Sequence, residues 1–215
     1  MQEKQKKWIL RIALYLIGIM VLALGITLNT KTNLGVSPII SMPYAVAQIF
    51  GYETGTAVFV AYLIFIVLQI VLLKGKFPPF QLLQVAASYL TSAFITIFDR
   101  IFPAPDQMGM RLLVLVLAII LTGIGAAVTV DVNIVPNPAD GLATVLGERC
   151  GKNMGLGKNL FDFSAIVISL AIGLIDAGRP VGSGIGTVIA MVCTGRVIAA
   201  FNHFAKKKIE EITIA

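Results

Sequence analysis

The stretch Asn133–Gly141, with the sequence NIVPNPADG, is a polar run between long apolar segments. It holds two prolines, two asparagines and one aspartate. Proline removes a backbone hydrogen-bond donor and disfavours helical geometry in the residue before it, so a regular helix cannot continue through this run. The stretch therefore predicts a helix that is interrupted within apolar surroundings.

The composition of the chain identifies those surroundings as a lipid bilayer. Of the 215 residues, 57% are hydrophobic and 13% are charged, and the mean hydropathy is +0.90. A soluble domain carries about 25% charged residues, so this chain has too little polar surface to cover itself in water. The net charge of +6 comes largely from lysines and arginines at the termini and in short loops, which is typical of membrane proteins. No nucleic-acid partner is expected.

Six segments are long and apolar enough to cross a bilayer, which takes about 20 residues as a helix. The first follows basic residues, but it is too long for a signal-peptide core and lacks a cleavage motif, so we interpret it as a retained span. The predicted fold is an all-α membrane protein with spans at 8–29, 56–74, 79–102, 111–130, 159–177 and 183–205.

Two further segments, 38–50 and 138–150, are compatible with helix but short. Each has about 13 residues, which gives a helix of about 20 Å. Each also follows polar backbone that contains proline. We therefore expect two short helices that are re-entrant or broken.

The opening stretch has a counterpart 100 residues earlier, NLGVSPIIS at Asn33–Ser41. The same spacing pairs Gly25 with Gly125 and Pro38 with Pro138. Matching asparagine, glycine and proline around the same interrupted helix indicates a tandem duplication. We predict one membrane domain, residues 1–215, made of two internal repeats at about 8–104 and 108–206.

Charge distribution predicts how the repeats are oriented. Three full spans in each half make the repeats inverted, with both termini cytoplasmic. The basic clusters then lie on the cytoplasmic side, as the positive-inside rule requires. If the short helices crossed the membrane instead, giving eight spans, Lys74 and Lys76 would lie outside. The six-span arrangement is preferred; it places on the cytoplasmic side the N-terminal cluster, Lys74, Lys76, Arg149, Lys152, Lys158 and Lys206–Lys208.

The interrupted helices predict a binding site. Paired breaks in corresponding positions of two halves are typical of transporter sites. A helix that begins at mid-membrane exposes unpaired N–H groups and the positive end of its dipole, which suits a carboxylate, another small anion or a polar group. The candidate substrate-binding residues are Asn33, Ser37, Asn133, Asn137 and Asp140.

Two carboxylates admit more than one interpretation. Asp140 is expected in the first turn of the second short helix, where it could cap the helix, bind a cation or face an amine of the solute. Asp162 falls near the start of a span, where a charge is costly and usually faces the bundle interior. It could carry a coupling proton or Na⁺, or it could pair with Lys158 four residues earlier.

Several motifs together carry a family resemblance: Leu24-Gly25, Asn33–Pro38, Asn133–Gly141 and Gly157–Phe161. With these motifs, the chain resembles the YczE/YitT family of bacterial integral membrane proteins over residues 8 to 205. The resemblance implies a multi-pass protein of the bacterial cytoplasmic membrane. It implies no catalytic residues to carry over.

The most economical function is a secondary transporter or channel for a small polar or anionic solute, bound between the two half-helix N-termini near the bilayer midplane. The alternatives are a membrane-embedded substrate-binding subunit of a larger transporter and a regulatory or scaffold membrane protein. Because no catalytic grouping or metal-ligand spacing occurs in the sequence, we expect neither enzyme activity nor a cofactor or metal. The lipid bilayer is the expected surrounding partner, and homo-oligomerisation is left open.

Overall fold

The computed structural model describes residues 2–151 and 154–213, so Lys152 lies outside the described residues. All regular elements in these ranges are helices. A short 3-10 turn, Pro79–Leu82, precedes the fourth helix. In chain order the helices are α1 (Gln2–Lys31), α2 (Pro38–Phe50), α3 (Thr54–Leu73), α4 (Leu83–Ile101), α5 (Met108–Asp131), α6 (Pro138–Arg149), α7 (Met154–Ala177) and α8 (Ile185–Thr213).

Six of these helices are long and apolar enough to span a membrane, which confirms the six predicted spans. The last one continues to Ile212, beyond its predicted end at 205. The two predicted short helices are α2, with 13 residues, and α6, with 12. Both begin with the proline that the sequence places after each break, at the position where its missing N–H costs least. Of the two, α6 is the less apolar because it contains Asp140, Glu148 and Arg149.

Ion pairs show that α2 does not cross the bundle. Lys31, the last residue of α1, pairs with Asp99 at 2.9 Å. Glu53, just before α3, pairs with Arg100 at 2.5 Å. Because Asp99 and Arg100 are neighbours near the end of α4, the chain leaves α1 and begins α3 at the same face. We call this the opposite face, and the face at which α1 begins the N-terminal face.

Hydrogen bonds place both ends of the α6 segment at the N-terminal face. Arg11, near the start of α1, donates to the carbonyl of Val132, just beyond α5, at 2.8 Å. Arg149, at the end of α6, donates to the carbonyl of Leu72, at the end of α3. Since α3 runs from the opposite face back to the N-terminal face, α6 returns to the face from which its segment came. The structure thus has six spans and two re-entrant helices.

Among the described helices, the most extensive pairing is between α1 and α5, which run antiparallel. A Cβ atom on Gly25 would overlap the backbone nitrogen of Thr122, and a Cβ on Gly125 would overlap that of Leu22. The 100-residue spacing relates the two contacts: Gly25 corresponds to Gly125, and Thr122 corresponds to Leu22. An inverted repeat requires contacts of this kind. The duplication itself stays a prediction.

Each half-helix is held by the other half of the chain. α6 packs on α3 as well as on α7, and α2 packs on α7 as well as on α3. Gln69 of α3 donates to the carbonyl of Pro138 at 3.1 Å, and Ser169 of α7 donates to the carbonyl of Ser41 at 3.1 Å. Protein therefore encloses the starts of both half-helices, as non-helical backbone in a membrane requires.

The α1–α5 crossing predicts a selective sensitivity to small substitutions. Gly25→Ala and Gly125→Ala push a methyl group into backbone, and overpacking of this kind costs about 1–3 kcal/mol. Gly109→Ala in α5, where a Cβ meets nothing within 4 Å, serves as the control. We expect the first two variants to lower the melting temperature of the purified protein and the control to leave it unchanged. Equal melting temperatures for all three would contradict this crossing.

The positions of the loops predict a labelling pattern. In a Cys193→Ser background, the exposed Cys150, next to the end of α6, should react with a membrane-impermeant maleimide from the cytoplasmic side only. Asp106→Cys lies in the α4–α5 connection. In a background in which Cys150 is also replaced by serine, it should react only from outside. Labelling of both positions from one side would contradict the six-span topology.

Candidate functional site

A cavity of about 240 Å³ lies where the two half-helices begin. Ser37, just before α2, and Asn137, just before α6, both line it. Its remaining walls come from α1, α3, α5, α7 and α8. The structure therefore brings the two interrupted segments to one cavity, which is large enough for a small organic molecule.

The start of α6 is fully tied to its neighbours. The side-chain oxygen of Asn137 accepts from the backbone N–H of Ala139 at 3.0 Å, which caps the helix. Its side-chain nitrogen donates to the hydroxyl of Tyr62 at 3.2 Å. Tyr62 is completely buried on α3. Asn137 thus serves as cap and as cross-link, and these bonds orient it at the cavity wall.

The start of α2 is organised differently. The Ser37 side chain makes no capping hydrogen bond. Its backbone N–H donates to the side-chain oxygen of Asn29 at 2.7 Å, which holds the loop but does not cap the helix. Pro38 has no N–H, and the Ile40 N–H donates to the carbonyl of Ser37 at 3.1 Å. The first turn of α2 therefore offers the Ile39 N–H and the positive end of the helix dipole.

An ion pair forms one wall. Lys158 donates to the two carboxylate oxygens of Asp162 at 2.9 and 3.2 Å, so the predicted pairing four residues apart is present. Both residues line the cavity, and Asp162 is 6% exposed. Asp162 is therefore buried, as expected of a functional carboxylate, and also paired with Lys158, as expected of a structural one.

Asp140 brings a second carboxylate to the cavity. Within residues 2–151 and 154–213 this carboxylate makes neither a hydrogen bond nor an ion pair; the bond from Thr144 reaches the backbone carbonyl of Asp140. Asn137, and not Asp140, caps α6. Lys158 attracts Asp140 as well as Asp162. One lysine therefore faces two carboxylates in the cavity lining, and with both carboxylates ionised the lining carries one net negative charge.

Asn33 and Asn133 do not line this cavity. Both are exposed, and both adopt left-handed backbone geometry, with φ of 56° and 53°. They follow the ends of α1 and α5, and asparagine tolerates this geometry better than most residues. Their matching positions mark two equivalent helix ends, and the structure places them at opposite faces of the molecule.

Residues that the sequence did not single out complete the site. Tyr62, Asn29 and Gln69 hold the starts of α2 and α6 through the bonds above, and Gln69 also bonds to Gln84 at 3.1 Å. Both glutamines are fully buried within spans. A buried amide in a span is costly unless it has a partner, so these glutamines were the available sequence signal.

Each non-helical loop separates the cavity from one face. On the opposite face, a vestibule of about 620 Å³ is lined by residues 33–36, and this loop is fixed by a bond from Val36 N to Gly182 O at 2.8 Å. On the N-terminal face, Arg11 holds the carbonyls of Val132 and Asn133, and Tyr15 donates to Val135 O at 3.0 Å. The cavity is therefore flanked by two loops of matching position but different attachment.

The unequal caps predict unequal effects on stability. Asn137→Ala removes the cap of α6 and is expected to cost about 1 kcal/mol. Ser37→Ala removes no capping bond and should leave the free energy of unfolding nearly unchanged. Melting temperatures of the two purified variants provide the comparison. A larger loss for Ser37→Ala than for Asn137→Ala would contradict the bonding described here.

Comparisons with known proteins agree with the resemblance to YczE. A family model described as "Family of unknown function (DUF6198)" matches residues 9–203. The chain is 25% identical to the uncharacterized membrane protein YczE of Bacillus subtilis over 90% of this chain and 86% of that protein. It is 23% identical to the uncharacterized protein YyaS of Bacillus subtilis over 90% of this chain and 95% of that protein. No solved structure matches the chain.

Proposed function

This chain belongs to the DUF6198 family, and we propose that it is a secondary transporter for a small polar solute, bound between the starts of α2 and α6. The observation that supports this most strongly is the 240 Å³ cavity that both half-helices line, with an unpaired carboxylate, Asp140, in its wall. A purely structural break would need hydrogen-bond partners for its backbone, but it would not need a cavity whose lining carries a net negative charge.

The charges in the cavity favour a solute with a positively charged group. Lys158 makes an ion pair with Asp162 and also attracts Asp140, so one lysine serves two carboxylates and a simple anion would meet a net negative charge in the cavity lining. An amine can pair with Asp140. A polar acceptor on the same molecule can use the uncapped first turn of α2. The proposed solute is therefore an amine or a zwitterion rather than the bare anion that the helix dipoles alone would favour.

The two loops provide a route for alternating access. The loop before α2 lies between the cavity and the vestibule of the opposite face. The loop before α6 lies between the cavity and the N-terminal face, which we propose is cytoplasmic. Release of the Val36–Gly182 bond would expose the cavity to the opposite face. Release of the Arg11 and Tyr15 bonds would expose it to the N-terminal face.

The Lys158–Asp162 pair is the proposed coupling element. A buried carboxylate that can exchange its lysine for a proton or Na⁺ would link ion binding to the charge of the cavity. Asp140 lies in the same cavity, so a change at Asp162 alters the electrostatic environment of the solute amine. Asp162→Asn should therefore abolish ion-driven accumulation while solute exchange at equilibrium persists.

A membrane-embedded binding subunit of a larger transporter would use the same cavity, and flux measurements separate the two functions. Proteoliposomes that contain only this chain should accumulate the solute if it is a transporter. Binding without flux would assign the energising step to a separate protein. A regulatory or scaffold protein would show neither.

The cavity charge predicts the effect of removing one carboxylate. Asp140→Asn keeps the shape of the side chain but removes the charge that pairs with an amine. In a screen of small amines, amino acids and carboxylates, we expect the binding compounds to carry an amine. Asp140→Asn should weaken their binding at least about tenfold, which corresponds to about 1.4 kcal/mol.

Asp106→Asn, in the exposed α4–α5 connection, is the matched control and should bind as the unchanged protein does. Melting temperatures show whether each variant is folded. If carboxylates bound and Asp140→Asn had no effect on them, the proposed solute class would be excluded.

A further inference from the structure

The two halves differ in how their last two spans pack. α3 and α4 lie side by side, whereas α7 and α8 make at most marginal contact within the described part of the chain. In the first half, Ser92 of α4 donates to the carbonyl of Gly55 on α3 at 2.7 Å. A two-residue slip in the 100-residue spacing pairs Gly55 with Gly157 of α7, which lies instead against the backbone of Ala143 on α6. α7 has thus packed towards α6 and left a gap beside α8.

This gap leads directly into the solute cavity. The cavity is lined from one side by Asn159 and Asp162 of α7 and from the other side by Met191 and Gly195 of α8. Asn159, Met191 and Gly195 are also exposed at the molecular surface. A Cβ atom on Gly195 would meet nothing within 4 Å. The wall between α7 and α8 is therefore open.

The surface around the gap is apolar. Phe163 of α7 is 67% exposed, and Val188 of α8 is 58% exposed. Towards the opposite face the gap is closed, because Ser169 on α7 donates to the carbonyl of Val181 in the α7–α8 connection at 2.9 Å. The opening thus lies between two spans with apolar outer faces, where the bilayer is the neighbouring solvent.

We propose that the cavity opens sideways into the bilayer between α7 and α8, and that its solute is an amphipathic amine that arrives from the membrane. This inference rests on the proposed solute site and adds the route and the apolar body of the solute. Asp140 pairs with the amine, and the apolar side chains of the cavity, including Leu22, Ile26 and Ile198, contact the hydrocarbon part. Arg196 is exposed on α8 and does not line the cavity, so Lys158 alone offsets the two carboxylates and the lining keeps its net negative charge.

The route can be tested by spin labelling at the gap. A label is attached to Gly195→Cys in a background in which Cys150 and Cys193 are serine, and the protein is reconstituted in liposomes. A label at Val192→Cys, on the exposed surface of α8, is the lipid-facing control. We expect the Gly195 label to collide frequently with oxygen, which concentrates in lipid, and rarely with a water-soluble nickel chelate.

Two other outcomes would overturn the lateral route. Frequent collision with the nickel chelate would mean that the gap opens to water. Protection from both reagents, with the Val192 label still accessible to oxygen, would mean that protein covers the gap, for example a second copy of this chain.

The solute class can be tested with a photoreactive dodecylamine in the same liposomes. We expect it to crosslink to residues of the cavity, to be displaced by dodecylamine and to resist displacement by dodecanoate. Gly195→Phe, which fills the open space at the gap, should reduce crosslinking about tenfold, equivalent to about 1.4 kcal/mol. Val192→Phe, outside the gap, should not.

The comparison with Asp140→Asn separates the two proposals. If Asp140→Asn abolishes crosslinking and Gly195→Phe leaves it unchanged, the solute site stands and the lateral route fails. If neither substitution matters, both fail. Displacement by dodecanoate and not by dodecylamine would overturn the amine assignment.

Discussion

Backbone without helical hydrogen bonds cannot face hydrocarbon, and this chain contains two such segments within its apolar bundle. The packing of the surrounding helices encloses both segments in protein. The α2 segment is held by Asn29 and by the backbone of Gly182, and the α6 segment is held by Gln69 and Tyr15. Most of these partners come from the opposite half of the chain. The two halves therefore interlock, and neither half-helix is enclosed by its own repeat alone.

The same enclosure produces the cavity, and departures from symmetry give it a chemical character. Position 40 is isoleucine in the first half, whereas the equivalent position 140 is aspartate. The start of α6 is capped by Asn137, whereas the start of α2 has no side-chain cap. α3 packs closely on α4, whereas α7 and α8 make at most marginal contact. The two halves therefore differ at the positions that give the cavity its charge and its hydrogen-bonding groups.

Composition, span length and proline position were enough to predict six spans and two short helices, because these features are local along the chain. The cavity residues Ser37, Asn137, Asp140 and Asp162 were predicted for the same reason, since each lies at or near a helix start. Asn33 and Asn133 were also predicted at the site but do not line the cavity; both stand at left-handed helix ends, a position that favours asparagine without any ligand. Tyr62 was missed because its partner, Asn137, is 75 residues away, and no local pattern encodes that contact.

The central claim is that the starts of α2 and α6 share one cavity. Crosslinking of Ser37→Cys to Asn137→Cys with a short bifunctional maleimide, with Cys150 and Cys193 replaced by serine, tests it most directly. The account predicts an intramolecular crosslink in the membrane-embedded protein and none for the control pair Ser37→Cys and Asn133→Cys, because Asn133 lies at the N-terminal face. Equal crosslinking of both pairs, or of the control pair alone, would contradict the shared cavity.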